Sequence, residues 1–183
     1  YGNGPTPSIP DFLNVPIPNL PEYEGASARV QPGGTDWMDE LFDPANVTRI
    51  NIAASGGSEQ GRYRLSANYL NQEGAVIYTG YERASTRLNS EFKLSDKLRI
   101  GQKLNVTFDK ETPLSTSFNM PLQSSPLTPV YDTLGNFAGP YSNATGLSNA
   151  SNVVATQYRG RNDYNKNLRV ILSLIHISEP TRR

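Results

Sequence analysis

Between Val47 and Phe108 the chain alternates apolar and polar residues through four consecutive segments, and no proline interrupts them. Successive side chains of an extended chain point to opposite faces, so a period of two marks a strand whose faces differ in chemistry. In the first segment Thr48, Ile50, Ile52 and Ala54 oppose Arg49, Asn51 and Ala53. The second sets Tyr63, Leu65, Ala67 and Tyr69 against Arg62, Arg64, Ser66 and Asn68. Ala84, Thr86, Leu88, Phe92 and Leu94 then face away from Arg87, Asn89, Glu91 and Lys93. The fourth divides Leu98, Ile100, Leu104, Val106 and Phe108 from Arg99, Lys103, Asn105 and Thr107. A helix would scatter these charges around its whole circumference, which excludes it here.

The connections add a second regularity. Gly56 to Gly61 and Ser95-Asp96-Lys97 carry the glycine and Asx chemistry of tight turns. A longer link runs from Asn71 to Tyr81, and a very long irregular stretch from Asp109 to about Asp163 precedes one more alternating segment, Asn167 to Ile171. Short and long connections therefore alternate, as in an outer-membrane barrel with short periplasmic turns and long external loops. Strands of such a barrel need about 9–11 residues to cross the bilayer. A soluble antiparallel sheet with one buried face produces the same alternation, so the period alone leaves both readings open.

Composition narrows the chemistry. Of 14 prolines in 183 residues, seven precede Gly33, among them Pro5, Pro7, Pro10, Pro16, Pro18 and Pro21. Residues 1–46 accordingly read as a proline-rich external loop rather than sheet interior. With no cysteine, neither a disulfide framework nor a thiolate metal site is available. The formal charge is zero and there is no basic stripe, which argues against a nucleic-acid partner. No signal-peptide pattern opens the chain, although an outer-membrane protein is expected to begin with one. Tyr63, Tyr69, Tyr78 and Tyr81 fall near strand ends, where a membrane-interface girdle or an ordinary sheet would equally place them.

The ending Leu172-Ser173-Leu174-Ile175-His176-Ile177-Ser178-Glu179-Pro180-Thr181-Arg182 is similar to the in-frame translation of a transposase adapter used in shotgun sequencing libraries. Residues 172–183 are on that resemblance a non-native tail, and the chain is expected to be a fragment at both ends. The only histidine, His176, lies in this tail. The remainder has neither His nor Cys, so a Ser-His-Asp triad, a thiolate nucleophile and a histidine zinc site are excluded within it. Asp36, Asp39, Glu40 and Asp43 cluster around Trp37. Their spacing does not match an EF-hand loop and fits a solvated helical turn entering the first strand. No cofactor and no enzymatic activity are expected.

Several segments in order resemble the SusC/RagA family of TonB-linked outer-membrane transporters. They are Gly34-Thr35-Asp36-Trp37-Met38-Asp39-Glu40-Leu41-Phe42, Ile52 to Gly61, Tyr63 to Gly74 and Tyr81 to Asn89. Pro129-Val130-Tyr131-Asp132 follows, with Gly135-Asn136 and Ala138-Gly139-Pro140-Tyr141. Gly34 stands where the family usually has Asn, and the proline-rich opening is distinctive. The resemblance implies an all-β fold: antiparallel strands from a barrel of about 22 strands with an N-terminal plug, incomplete in this chain. It implies four barrel strands over 47–108, an external loop over 109–163 and the start of the next strand over 164–171.

It also implies function. Such proteins import glycan oligomers or peptides across the outer membrane with energy delivered through TonB, and a SusD-like surface lipoprotein captures the substrate. The lipid-facing candidates are Ile50, Ile52, Leu65, Leu88, Phe92, Ile100, Leu104 and Val106. The lumen-facing candidates are Arg62, Arg64, Asn68, Arg87, Asn89, Glu91, Lys103 and Asn105. TonB would act through a plug region outside this chain. The competing reading is a soluble carbohydrate-binding β-sheet module.

Overall fold

The computed structural model describes residues 12–14, 27–30, 33–138 and 150–178. The seven prolines before Gly33, the Gly139-Pro140-Tyr141 portion of the family-like motif and residues 179–183 lie outside them. The chain divides into two compact units, one of Tyr1–Pro44, Ala75–Tyr78 and Leu114–Asn162, the other of Ala45–Gly74, Thr79–Pro113 and Asp163–Arg183.

The second unit is a five-stranded antiparallel sheet. Its strands, after two short ones (β1, Phe12–Asn14; β2, Ser27–Arg29) in the first unit, are β3 (Val47–Gly57), β4 (Gly61–Glu73), β5 (Gly80–Ser95), β6 (Leu98–Thr112) and β7 (Asn165–Ser178). Spatial order follows chain order. Each alternating segment of the sequence lies inside one of these strands, and each strand runs further. β5 has 16 residues, an extended length of about 50 Å at 3.4 Å per residue. The ends were hidden because they are polar (Gln72-Glu73, Lys110-Glu111), and backbone pairing rather than hydropathy carries them.

Turns are tight at one end. Ser58 N donates to Gly61 O at 2.7 Å, and the Ser58 hydroxyl accepts from Gln60 N. At the β5–β6 turn the pairing slips between Lys93 and Ser95, a bulge. Lys93 Nζ lies 2.6 Å from Asp96 Oδ1 there, and this hydrogen bond holds the Asp96 carboxyl below its ordinary range. On the other side of β4, Gly74 N donates to Thr79 O. A Cβ on Gly74 would fall 2.9 Å from Thr79 Cβ, so this link requires glycine. Short and long links alternate as expected.

β7 extends past Ile171 through the residues set aside as a tail, with Leu172 opposite Leu104 and Ile175 opposite Gly101. A run of Leu, Ile and Ser has high strand propensity and an open strand edge accepts any such partner, so pairing says nothing of the segment's origin.

The first unit contains what reads in sequence as irregular loop, and it has a core of its own. Its helices are α1 (Trp37–Leu41), α2 (Asn119–Gln123) and α3 (Val153–Gly160). Asp36 caps α1, its Oδ1 accepting from Met38 N at 3.0 Å and Asp39 N at 3.2 Å. Trp37 and Leu41, four residues apart, then share one face and are buried, so the helical turn is solvated on only one side. They pack with Val76, Val130, Val153 and Val154. Trp37 Nε1 donates to Ser125 O at 2.9 Å.

Asn152 ties this core together. Its Nδ2 donates to Val130 O at 2.8 Å and Ala138 O at 2.9 Å, while its Oδ1 caps α3 by accepting from Ala155 N. The family-like motif around Asp132 is a small hairpin: Asp132 Oδ1 accepts from Leu134 N and Asn136 N, and Gly135 takes the positive φ of 84° that the turn needs. Tyr78, at φ 61°, packs edge-on against Tyr158 at 5.7 Å in this unit, and so leaves the girdle position considered for it.

Asn152→Ala removes two donors from buried carbonyls and one helix cap, and is expected to destabilise this unit by about 2–4 kcal/mol. Faster hydrogen exchange at residues 130–138 and 152–160, with the sheet amides unchanged, is the measurement that checks it.

Candidate functional site

Register decides which side chains share a face of the sheet. Directly opposed residues point the same way, and the pairing runs unbroken across all five strands over its central rows. One row reads Ile52, Ala67, Thr86, Val106 and Val170; the next reads Ala54, Leu65, Leu88, Leu104 and Leu172. Ile50, Phe92 and Ile100 fall on this same apolar face. It is exposed: Ile52 is 67% and Leu168 68% accessible.

The opposite face holds every one of the polar candidates. Its rows run Arg49, Leu70, Arg83, Asp109, Asn167; then Asn51, Asn68, Ser85, Thr107, Arg169; then Ala53, Ser66, Arg87, Asn105, Ile171. Ser55, Arg64, Asn89, Lys103 and Ser173 come next, followed by Gly57, Arg62, Glu91, Gly101 and Ile175. Tyr81, opposite Gln72 and Glu111, also belongs here rather than with the apolar tyrosines.

Two zones follow from the charges. Near the tight turns, Arg62 Nη2 donates to Glu91 Oε2 at 2.8 Å and Arg99 Nη1 lies 3.8 Å from Glu91 Oε1. One carboxylate there serves two guanidinium groups. Further along, the first four rows carry six cations and a single carboxylate, Asp109, which accepts from Asn167 Nδ2 at 2.9 Å. Arg49, Arg64, Arg83, Arg87 and Arg169 line one concavity of about 710 Å³. All five are exposed, and none forms an ion pair among the described residues.

Sequence reasoning selected Arg64 and Arg87 but passed over Arg49, Arg83 and Arg169 as candidates. The signal was available in the same parity: each sits an even number of positions from a selected polar residue or from its paired partner. What sequence could not supply was that β7 lies beside β6 and so brings Arg169 to the group. Among the described residues no three His, Asp or Glu side chains are placed to hold a metal ion. Asp36 is instead engaged in capping α1.

The sheet is thus antiparallel and amphipathic, built of long strands, largely apolar on one face and cationic on the other. The chain is homologous to the TonB-dependent receptors of the SusC/RagA type. TonB-dependent receptor P26 of Formosa agariphila is 30% identical over 125 residues, which are 68% of this chain and 12% of that receptor. The receptor SusC of Bacteroides thetaiotaomicron is 27% identical over 124 residues, 63% of this chain and 12% of its own length. The chain thus spans about an eighth of the curated relatives it matches. Among solved structures, the RagAB peptide transporter superposes with a TM-score of 0.62 over 81% of this chain and 18% of that one, at 20% identity, a likeness of fold. No protein-family model matches. The curated relatives are TonB-dependent receptors, and the solved structure is that of a peptide transporter.

The Arg62–Glu91–Arg99 cluster is solvent-facing, and exposed ion pairs contribute about 0–1 kcal/mol. Glu91→Gln is therefore expected to shift stability by less than about 1 kcal/mol, read from urea unfolding midpoints.

Proposed function

We propose that this chain is part of the wall of an outer-membrane importer that takes up glycan oligomers or peptides with energy delivered through TonB. The observation that carries the reading is the segregation of faces. Over the central rows the five paired strands put most of their large apolar residues on one exposed face and their arginines on the other, with Leu70 and Ile171 as exceptions, and β3 and β7 each have one unpaired edge among the described residues. An apolar face of this extent is stable against lipid, and closing a sheet on itself is the way to remove its edges in a bilayer. Barrel closure by the rest of the polypeptide supplies both. The soluble alternative needs a second layer over this apolar face, whose Ile52 and Leu168 are exposed.

On this reading Ile50, Ile52, Leu65, Leu88, Phe92, Ile100, Leu104 and Val106 face lipid. Arg62, Arg64, Asn68, Arg87, Asn89, Glu91, Lys103 and Asn105 face the lumen. Residues 1–46 and 109–163 form external loops around the strands of 47–108 and the strand beginning at 164. The partners are TonB, acting through the plug, and a SusD-like surface lipoprotein. Peptides are what the RagAB transporter, alike in fold, carries, and glycans enter from the family resemblance of the sequence alone.

The proposal extends to the tail. Beyond Arg169, Ile171, Ile175 and Ile177 occupy the polar face, and the two-faced pattern kept by β3 to β6 is lost. Residues from 172 onward are read as adapter-derived, and the native strand is expected to restore polar residues at alternate positions.

The test is recovery of the whole gene by long-read sequencing, then expression in a TonB-competent host. A frame of roughly a thousand residues is expected, since 125 matched residues are 12% of a relative. Oligomer uptake that stops when TonB is deleted would support the transporter. A frame ending after one more strand, with no plug upstream, would overturn it. In the complete protein Leu104→Arg is expected to cost about 2–4 kcal/mol at midplane depth and to impair membrane assembly, whereas Asn105→Arg is mild. Heat-modifiable gel mobility of the two variants checks the face assignment, and equal tolerance contradicts it.

A further inference from the structure

The polar face is more cationic than a solvated lumen requires. Arg49, Arg64, Arg83, Arg87 and Arg169 line one concavity without a carboxylate partner among the described residues. Arg64 and Arg87 are diagonal neighbours, because Arg87 lies opposite Ser66, and such neighbours are about 7–8 Å apart. Arg83 and Arg87 are separated by four residues of one strand, about 13 Å. Between them the face carries amides and hydroxyls: Asn51, Asn68, Ser85 and Asn105. These four rows hold no aromatic ring and, besides Leu70 and Ile171, no large apolar side chain.

We infer that this concavity binds an acidic oligosaccharide, a solute with carboxylates spaced along a hydroxyl-rich chain. The inference rests on the import reading above and names its substrate class. Guanidinium groups bind carboxylates through paired, charge-assisted hydrogen bonds; among the described residues none of the five forms an ion pair, and Asp109, opposite Arg83, is bonded to Asn167 instead. Like charges held side by side on a sheet repel until a counter-charge arrives, which favours an anionic occupant over a neutral one. The interspersed amides and hydroxyls donate to and accept from sugar hydroxyls. An acidic peptide would satisfy the guanidinium groups but would find, apart from Ile52, Tyr69 and Leu70, little apolar surface for its remaining side chains.

The experiment uses the complete receptor from the recovered gene, purified in detergent, with trigalacturonate, maltotriose and triglutamate as calorimetric probes. Trigalacturonate is expected to bind, to weaken with added salt, and to outcompete the other two. Arg64→Gln/Arg87→Gln is expected to weaken it roughly ten-fold or more, as loss of charge-assisted bonds implies, with an unchanged melting temperature. Arg62→Gln, outside the concavity, should leave binding within about two-fold, since its guanidinium is already held by Glu91. Should the double glutamine variant fail to assemble, Arg64→Lys/Arg87→Lys keeps the charge, and a partial loss of affinity is expected from the missing fork.

Maltotriose or triglutamate binding as tightly as trigalacturonate would overturn the inference. So would variants that melt earlier without losing affinity, because the arginines would then be paired with carboxylates of the same polypeptide. TonB-dependent uptake of a neutral oligomer without trigalacturonate binding would reject this inference alone. Absence of any TonB-dependent uptake would reject the import reading beneath it.

Discussion

The sheet depends on one constraint: its backbone hydrogen bonds are satisfied strand to strand while its apolar face is left without a layer. In a soluble domain the driving force for folding is burial of such a face, at about 25 cal/mol per Å² removed from water. Here residues such as Ile52, Leu168 and Leu174 remain mostly accessible, and the only hydrophobic cluster of buried residues among those described is in the other unit. A sheet of this kind is held by its ladders and awaits its surroundings. On the proposed reading, lipid and the remaining strands provide them.

The long connections obey a different rule. Trp37, Leu41, Val76, Val130, Val153 and Val154 come from segments far apart in the chain and form a small soluble-type core. Asn152 and Gln157 are buried inside it as connectors: the first bridges two carbonyls and a helix start, the second accepts from Ser115 N at 2.9 Å. The chain therefore carries two solvation regimes, one sheet with its apolar residues outward and one loop assembly with them inward. On the proposed reading these are external segments that have to hold shape in water, and a private core is how a long loop does so.

Parity explains why so much of the sheet was legible. A one-residue slip in register would invert every side chain of a strand, so alternating sequences specify their faces strongly. Ile50, Ile52, Leu65, Leu88 and Leu104 were separable from Arg62, Arg64, Arg87 and Asn105 before any pairing was known, and the pairing keeps them separate. The loop core was far less legible. Val130 and Val153 carry no periodic signal, and the Trp37 helix read as solvated because Asp36, Asp39, Glu40 and Asp43 cluster around it. Short helices gain most of their stability from tertiary packing, which local sequence does not display.

The sequence by itself determined strand identity, the two unlike faces, the alternation of short and long links, and the lack of cysteine and of any histidine but His176. Those properties are local: they follow from period two, from glycine and Asx turns, and from residue types present or missing. Only the tertiary structure decided the order and register of neighbours, and with them the gathering of Arg49, Arg64, Arg83, Arg87 and Arg169 from four strands into one concavity. It also decided that the loops own a core, because burial of Val76 beneath residues 37–41 and 130–154 depends on contacts between segments that no local pattern encodes.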